Sequence, residues 1–312
     1  MRFSVRTANL IFALSLTERR KNAILYLPRT RLHDTWQKWG TKMEQKLLLY
    51  ISFDGRAFCG YQVQANGPSV QGALNRATAE LFGFPCDITG CSRTDSGVHA
   101  RMFCCTVTAH GTQELPTTIP VGRIPQALCV RLPDAISVRY ARWVPADFHP
   151  RYDVSSKEYI YRFLASPYRD PFEIGRSWHI PCPLLPHAER IMDTAARGFI
   201  GRHDFTACMA SGSIVCSPVR HVTEAGVERS GDILIFRVRA DGFLYNMVRI
   251  MAGTLYETAI GHIPPDSIPE RLASRNRRLM GRTAPPEGLY LNRVFYDDGE
   301  IPGYHGGTCH GN

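Results

Sequence analysis

The sequence predicts an α+β fold of two similar halves, each an antiparallel-rich mixed sheet with helices on one face, around a central cleft. Strand and helix patterns interleave along the chain, and some consecutive strands are joined by tight turns instead of helical crossovers. No long linker or low-complexity tract interrupts the 312 residues. We expect an N-terminal half over 46–150 and a C-terminal half over 151–298. An extension over 1–45 precedes them and a flexible tail over 299–312 follows.

The first half is predicted to contain three strands and two helices. The apolar run KLLLYISFDG is typical of a strand that ends at Asp54-Gly55. Ser69 then caps a helix. The apolar residues of this helix recur with the helical period on one face, at Val70, Leu74, Ala77 and Leu81. Alternation in MFCCTVTAH and AISVRYARWVP predicts two more strands, with a short helix between them that has Pro120 near its start.

The second half repeats this mixture. KEYIYRFLA predicts a strand and LLPHAERIMDTAARGFIG a helix. The segment HVTEAGVERSGDILIFRVRADG predicts two strands joined at Ser230-Gly231. A long helix is predicted in FLYNMVRIMAGTLYETAIG, with Gly261 as its stop. DSIPERLASRN predicts a shorter helix and GLYLNRVFY a closing strand.

The positive charge of the chain is concentrated near its beginning. The formal charge is +9, but nine of the 37 basic residues and only two of the 28 acidic residues lie within 1–42. The rest is nearly neutral, so a nucleic-acid site would have to come from a local arrangement of charge. Candidates for such a patch are Arg101, Arg151, Lys157, Arg162 and Arg169. No apolar run reaches the roughly 18–20 residues of a membrane-spanning helix, so no membrane association is expected.

The ten cysteines include no C-x-x-C pair and no zinc-ligand spacing. We therefore expect reduced thiols and a cytoplasmic protein. The tail brings His305, Cys309 and His310 together, where a metal site is one interpretation, but the glycine-rich composition favours a flexible end. The segment 1–42 is either a transit peptide or sequence upstream of a true start at Met43. We favour the second interpretation, because a strand pattern follows Met43 almost at once.

The segment GCSRTDSGVHA, at 90–100, places Arg93 and Asp95 among small residues. Glycine, serine, threonine and aspartate are common turn formers, so a plain surface turn is one interpretation. The other is a loop that presents a carboxylate to a substrate.

This segment resembles the catalytic loop of the TruA-type tRNA pseudouridine synthases. Other motifs of that family occur in the expected order between about Lys46 and Tyr296, namely FDGRAFCGYQVQ, FHPRYDVSSKEYIYRF, GRHDFTAC, DGFLYNMVRIMAGTL and APPEGLYL. The resemblance implies the pseudouridine synthase fold and isomerisation of uridine to pseudouridine at positions 38–40 of the tRNA anticodon stem-loop. It also implies tRNA as partner, a homodimer, and no metal or organic cofactor.

The resemblance implies that Asp95 is the nucleophile, without deciding whether it attacks the ribose or the uracil ring. It implies that Arg249 pairs with Asp95, where a guanidinium would keep the carboxylate ionised and aimed. Tyr159 would stack on the uracil and is a possible base for the proton on carbon 5. Tyr161 shares its strand face, and Tyr159 is preferred because the family has a basic–x–Tyr spacing, here beginning at Lys157.

Two further residues are assigned by the resemblance to substrate binding. Arg93 takes part in extruding the target base, and Leu289 lines the uracil pocket, although ordinary strand core explains Leu289 nearly as well. His99 is interpreted as structural or RNA-facing. The sequence departs from the family at Tyr61, where tryptophan is usual, and at Cys129, where asparagine is frequent; both positions lie outside the catalytic set.

Two other function classes fit parts of the sequence. A non-catalytic RNA-binding module on the same scaffold would have no need of Asp95, Tyr159 and Arg249, yet all three are present. A carboxylate-based glycoside hydrolase needs a second carboxylate near the first. The Asp95 loop offers an arginine instead, so the sequence favours the synthase.

Overall fold

The computed structural model describes residues 45–65, 67–181, 183–210 and 216–297. The predictions for the N-terminal extension as far as residue 44, and for the tail with His305, Cys309 and His310, lie outside these residues.

Ten strands within these described residues form one mixed, mostly antiparallel sheet. They are β1 (Gln45–Phe53), β2 (Cys86–Gly90), β3 (His99–Ala109), β4 (Ile136–Pro145), β5 (Val154–Ala165), β6 (Trp178–Ile180), β7 (Gly201–Asp204), β8 (Val219–Ser230), β9 (Ile233–Ala240) and β10 (Leu289–Tyr296). The main path runs β4-β1-β3-β10-β5-β9-β8-β7, with β2 paired to β3 and β6 paired to β5. The predicted α+β class with an antiparallel-rich mixed sheet is confirmed.

The last strand of the sheet joins the two parts of the chain. Strand β10 pairs in parallel with β3, where Tyr290 lies opposite His99, and antiparallel with β5. The sheet therefore continues without a break from the strands before residue 150 to those after it. The division into two domains at that point stays a prediction.

Five α-helices in the described ranges pack with the sheet. They are α1 (Val70–Phe82), α2 (Ile124–Cys129), α3 (Ala188–Arg197), α4 (Met247–Ala259) and α5 (Ile268–Ala273). The Ser69 cap is present, since its hydroxyl accepts a hydrogen bond from the Gly72 amide. The hairpin turn predicted at Ser230-Gly231 joins β8 and β9, with Gly231 at a φ of 59°. No α-helix in the described part of the chain has the length and apolar character needed to cross a membrane.

Two kinds of difference from the predicted elements appear. The long helix predicted from residue 243 begins only at Met247, because Asn246 adopts a left-handed conformation with a φ of 59°. This break places Arg249 in the first turn of α4. Strands β2, β6 and β7 were not predicted, because segments of three to five residues are too short for a readable alternation.

The two sides of the sheet around β5 differ in character. By register, one side carries Tyr159, Tyr161, Leu289 and Leu291. Helix α4 covers this side, since the Tyr256 ring of α4 lies 4.8 Å from that of Trp178, whose edge contacts Tyr161. The opposite side carries Glu158, which pairs with Arg237 at 3.1 Å. The catalytic residues predicted from the sequence must therefore meet on the helix-covered side.

Candidate active site

The segment predicted to be catalytic forms a tethered loop between β2 and β3. The Tyr61 amide donates to the Thr94 carbonyl at 3.1 Å, and the Val98 amide donates to the Asp95 carbonyl at 3.2 Å. Gly60 lies against the loop at a φ of 102°, and a Cβ there would come within 2.8 Å of the Thr94 carbonyl oxygen. A glycine is therefore required for the Tyr61 segment to approach the loop this closely.

The structure brings Asp95 and Arg249 together, although 154 residues separate them. Arg249 Nη1 lies 3.4 Å from Asp95 Oδ2. The guanidinium is held from two further directions, by the Ala284 carbonyl at 2.7 Å from Nε and by Asn246 Oδ1 at 2.8 Å from Nη1. Since both are fixed acceptors, Arg249 is aimed at the carboxylate before any substrate arrives.

Burial and charge act in opposite directions on Asp95. Burial raises the pKa of the Asp95 carboxyl above its ordinary value, and the neighbouring Arg249 charge and hydrogen bond oppose that rise. The Asp95 side chain is 34% exposed, whereas that of Arg249 is 16% exposed. The carboxylate is thus open to a substrate, with the cation behind it.

Tyr159 reaches the same loop from β5. Its hydroxyl lies 3.3 Å from Ser92 Oγ, and its ring meets Phe243 edge-on with centroids 4.9 Å apart. Burial raises the pKa of Tyr159, so the phenol is neutral at physiological pH. Tyr161 is fully buried and donates its hydroxyl to the Pro285 carbonyl at 2.7 Å. Of these two tyrosines, Tyr159 is therefore the one whose hydroxyl contacts the loop.

The remaining predicted residues have different surroundings. Arg93 is exposed on the loop and forms no ion pair with any residue that the structure describes. Leu289 is 7% exposed and lies opposite Tyr161 at the start of β10. Arg93 thus remains available to an external anion, and Leu289 shares the sheet face of Tyr159.

His99 is held within the fold, which favours the structural one of its two interpretations. It is 3% exposed. Its Nδ1 accepts from the Gly55 amide at 3.2 Å, so the proton is on Nε2, which lies 3.0 Å from the Gly175 carbonyl. Burial lowers the pKa of His99, which favours this neutral form.

Comparisons with known proteins bear on the family of the chain. A family model described as tRNA pseudouridine synthase matches residues 195–297. The tRNA pseudouridine synthase A of Acetivibrio thermocellus is 41% identical over 249 residues, which cover 80% of this chain and 98% of the relative. The tRNA pseudouridine synthase A of Halalkalibacterium halodurans is 39% identical over 82% of this chain and 95% of the relative. That of Bacillus pumilus is 41% identical over 81% of this chain and 100% of the relative. The chain belongs to the tRNA pseudouridine synthase A family. It is an enzyme that isomerises uridine to pseudouridine in tRNA.

A more distant likeness adds nothing to this assignment. A chain from a crystal structure of a Cbf5-Nop10-Gar1 complex is 14% identical, with a TM-score of 0.31, over 80% of this chain and 50% of that one. A similarity of this size supports no argument.

Three contacts of the candidate active site of this pseudouridine synthase were not predicted from the sequence. Asn246 holds Arg249, Ser92 contacts the Tyr159 hydroxyl, and Phe243 supports the Tyr159 ring. Ser92 lies inside the recognised loop, so its position was a usable signal. Asn246 and Phe243 resembled the start of a helix, and only the backbone break at residue 246 turns them towards the site.

One candidate for the RNA-binding patch is corrected. Lys157 was grouped with exposed basic residues, but it is only 9% exposed, and its ammonium donates to the Cys91 carbonyl. Lys157 is buried because it lies on the helix-covered side of β5, where alternation along the strand places it on the same face as Tyr159.

Proposed function

We propose that this enzyme isomerises uridines 38–40 of the tRNA anticodon stem-loop, with Asp95 as the nucleophile. The single observation that carries the residue assignment is the contact between Asp95 and Arg249 at 3.4 Å. A carboxylate that is 34% exposed, with the less exposed Arg249 guanidinium beside it, suits a nucleophile that must form a covalent bond and later leave. The choice of positions 38–40 rests on the resemblance of the motifs to the family.

Arg93, Tyr159 and Leu289 would act on the target nucleotide. A uridine inside a stem must leave the stack, at a cost of a few kcal/mol, before its glycosidic bond can be reached. The exposed Arg93 guanidinium would hold the phosphates of the opened strand. The flipped uracil would then stack on Tyr159, with Leu289 forming an apolar wall of the pocket.

Tyr159 and Ser92 would together remove the proton from carbon 5. The phenol is neutral, so its oxygen can accept that proton only if it releases its own. Ser92 Oγ, 3.3 Å from the Tyr159 hydroxyl, is placed to receive the released proton and pass it to solvent.

The test of the target positions is a map of pseudouridines in tRNA from cells that lack this gene. We expect pseudouridine to be lost at positions 38–40 and restored by the wild-type gene but not by one that encodes Asp95→Asn. Unchanged modification at 38–40, or loss at other positions only, would contradict the proposal.

We also propose that the enzyme is a cytoplasmic homodimer. The nearly neutral charge of residues 43–312 supports an RNA site assembled from local patches of two chains, and the eight cysteines in the described residues are all free thiols, as expected in the cytoplasm. A monomer in analytical ultracentrifugation at micromolar concentration would contradict the dimer.

Binding of tRNA should weaken steeply with salt, because phosphate contacts release counterions. Arg93→Met should lower the slope of log Kd against log salt by about one, as expected for the loss of one phosphate contact. The matched control is Arg131→Met, since Arg131 pairs with Glu80 at 3.4 Å and should leave the slope unchanged. A flat salt dependence of the wild type would argue against phosphate binding, and an unaltered slope in Arg93→Met against the role of Arg93.

A further inference from the structure

Lys157 is a buried cation with no carboxylate partner among the residues that the structure describes. Its ammonium donates to the Cys91 carbonyl oxygen at 2.7 Å. The other ionisable groups that act on it are the Cys91 and Cys104 thiols and the Arg151 guanidinium, and burial lowers the pKa of Lys157. Burying an ammonium without a counter-ion is costly, so this position is not explained by stability.

The acceptor of this bond lies at the entrance of the catalytic loop. Cys91 is fully buried, and its amide donates to the Cys104 carbonyl at 2.8 Å. The Cys91 carbonyl accepts its hydrogen bond from Lys157. Asp95 follows only four residues later. The orientation of the peptide between Cys91 and Ser92 therefore depends on Lys157.

A second bond from the same strand holds the next residue of the loop. Tyr159 lies two positions after Lys157 on the same side of β5, and its hydroxyl contacts Ser92 Oγ at 3.3 Å. Two neighbouring side chains of one strand thus hold two consecutive loop residues. A rotation of the Cys91–Ser92 peptide would disturb both Ser92 and the path of the chain towards Asp95.

We propose that Lys157 is a positioning residue for the isomerisation, which fixes the Cys91 carbonyl and thereby sets Asp95 relative to Arg249 and Tyr159. This inference rests on the proposed role of Asp95 as the nucleophile. Lys157 acts through the loop and touches neither the substrate nor the carboxylate.

The test compares Lys157→Met with Lys157→Arg in single-turnover pseudouridine formation. Methionine fills the space but cannot donate, and a displacement of about 1 Å at a reacting group costs up to about 100-fold in rate, so we expect a loss of about 10- to 100-fold. The tRNA Kd should stay unchanged, since the Lys157 side chain is buried and offers almost no surface to RNA. Arginine keeps donors at this position and should recover most of the rate, whereas a merely space-filling role would favour methionine.

Lys46→Met is the matched control. Lys46 also donates its ammonium to a carbonyl, that of Phe148 at 3.3 Å, but at the start of β1 and not at the catalytic loop. Its substitution should leave the rate unchanged. The melting temperature of each variant shows whether a loss of rate comes from unfolding or from displacement of the catalytic loop in a folded enzyme.

Two results for Lys157→Met would overturn the inference. One is a folded enzyme with the wild-type rate, and the other is a loss of rate that weaker tRNA binding fully explains. If Lys157→Met does not fold, Lys157→Gln serves instead, since its shorter donor should give an intermediate rate, and a full rate would overturn the inference. Asp95→Asn is assayed in parallel. If Asp95→Asn still forms pseudouridine, the proposed nucleophile is wrong and this inference fails with it. If Asp95→Asn is inactive while Lys157→Met keeps the wild-type rate, this inference alone is wrong.

Discussion

Replacing Asp95 by asparagine is expected to lower the single-turnover rate of pseudouridine formation by at least about 10⁴-fold, because loss of a covalent nucleophile removes the reaction path. Asparagine has the same shape and can still accept a hydrogen bond from Arg249. The site should therefore keep its form, and tRNA should bind with unchanged affinity. The measurement is the release of tritium from tRNA labelled at carbon 5 of uridine, since that hydrogen leaves when the new carbon–carbon bond forms.

The control for this variant is Asp87→Asn. Asp87 is also a paired carboxylate, with His110 at 2.8 Å, but it lies on the exposed surface of β2. The same chemical change there should leave turnover intact. Retained turnover in purified Asp95→Asn would contradict the assignment of the nucleophile.

The melting temperature of Asp95→Asn provides a second check. Folding raises the pKa of Asp95, so the folded protein binds this proton more tightly than the unfolded chain does. This contribution to stability is greatest at low pH and is lost as the pH rises through the raised pKa. At neutral pH the ionised carboxylate is therefore a cost that asparagine avoids, and we expect a melting temperature at least as high as that of the wild type. A large decrease in melting temperature would indicate that the loop has lost its native conformation.

Replacing Arg249 by methionine is expected to lower the rate by about 10²- to 10³-fold, the usual effect of removing one preorganised charge beside the reacting group. The variant should also change the pH profile. The Arg249 charge opposes the rise in the pKa of Asp95 that burial causes. Without it, the pKa of Asp95 rises further, and the acidic limb of the rate profile should move to higher pH.

The measurement is the single-turnover rate against pH for the wild type, Arg249→Met and a control. Arg197→Met suits the control, because Arg197 forms an exposed ion pair with Asp193 at 2.8 Å on α3. Its profile should follow that of the wild type. An Arg249→Met enzyme that is slower at every pH by the same factor would show that Arg249 does not act through the ionisation of Asp95.

Most of the secondary structure was predictable because its signals are local. The Ser69 cap, the Ser230-Gly231 turn and the alternation of the long strands all lie within a few residues of the element that they define. Strands β2, β6 and β7 escaped prediction because so short a strand exists only through its partner in the sheet. The late start of α4 escaped it because the left-handed Asn246 interrupts an otherwise apolar helical pattern.

The candidate site was likewise predictable only where its signals lie in a local sequence motif. The loop motif, the spacing from Lys157 to Tyr159 and the motif that contains Arg249 were readable as a family resemblance. The environment of each residue was not. Lys157 looked like a surface cation in the sequence, and its ammonium is buried against the Cys91 carbonyl.

Helix periods, turn residues and ordered motifs are properties of the chain, so most of the elements, the candidate loop and the family could be predicted from the sequence. Which side chains contact each other depends instead on the tertiary structure. Strand β10, from the end of the chain, lies between β3 and β5 and brings the loop before β3 next to the side chains of β5. The contact between Asp95 and Arg249 spans 154 residues. Its geometry depends on strand order, register and the break at Asn246 together, so no local pattern could supply it.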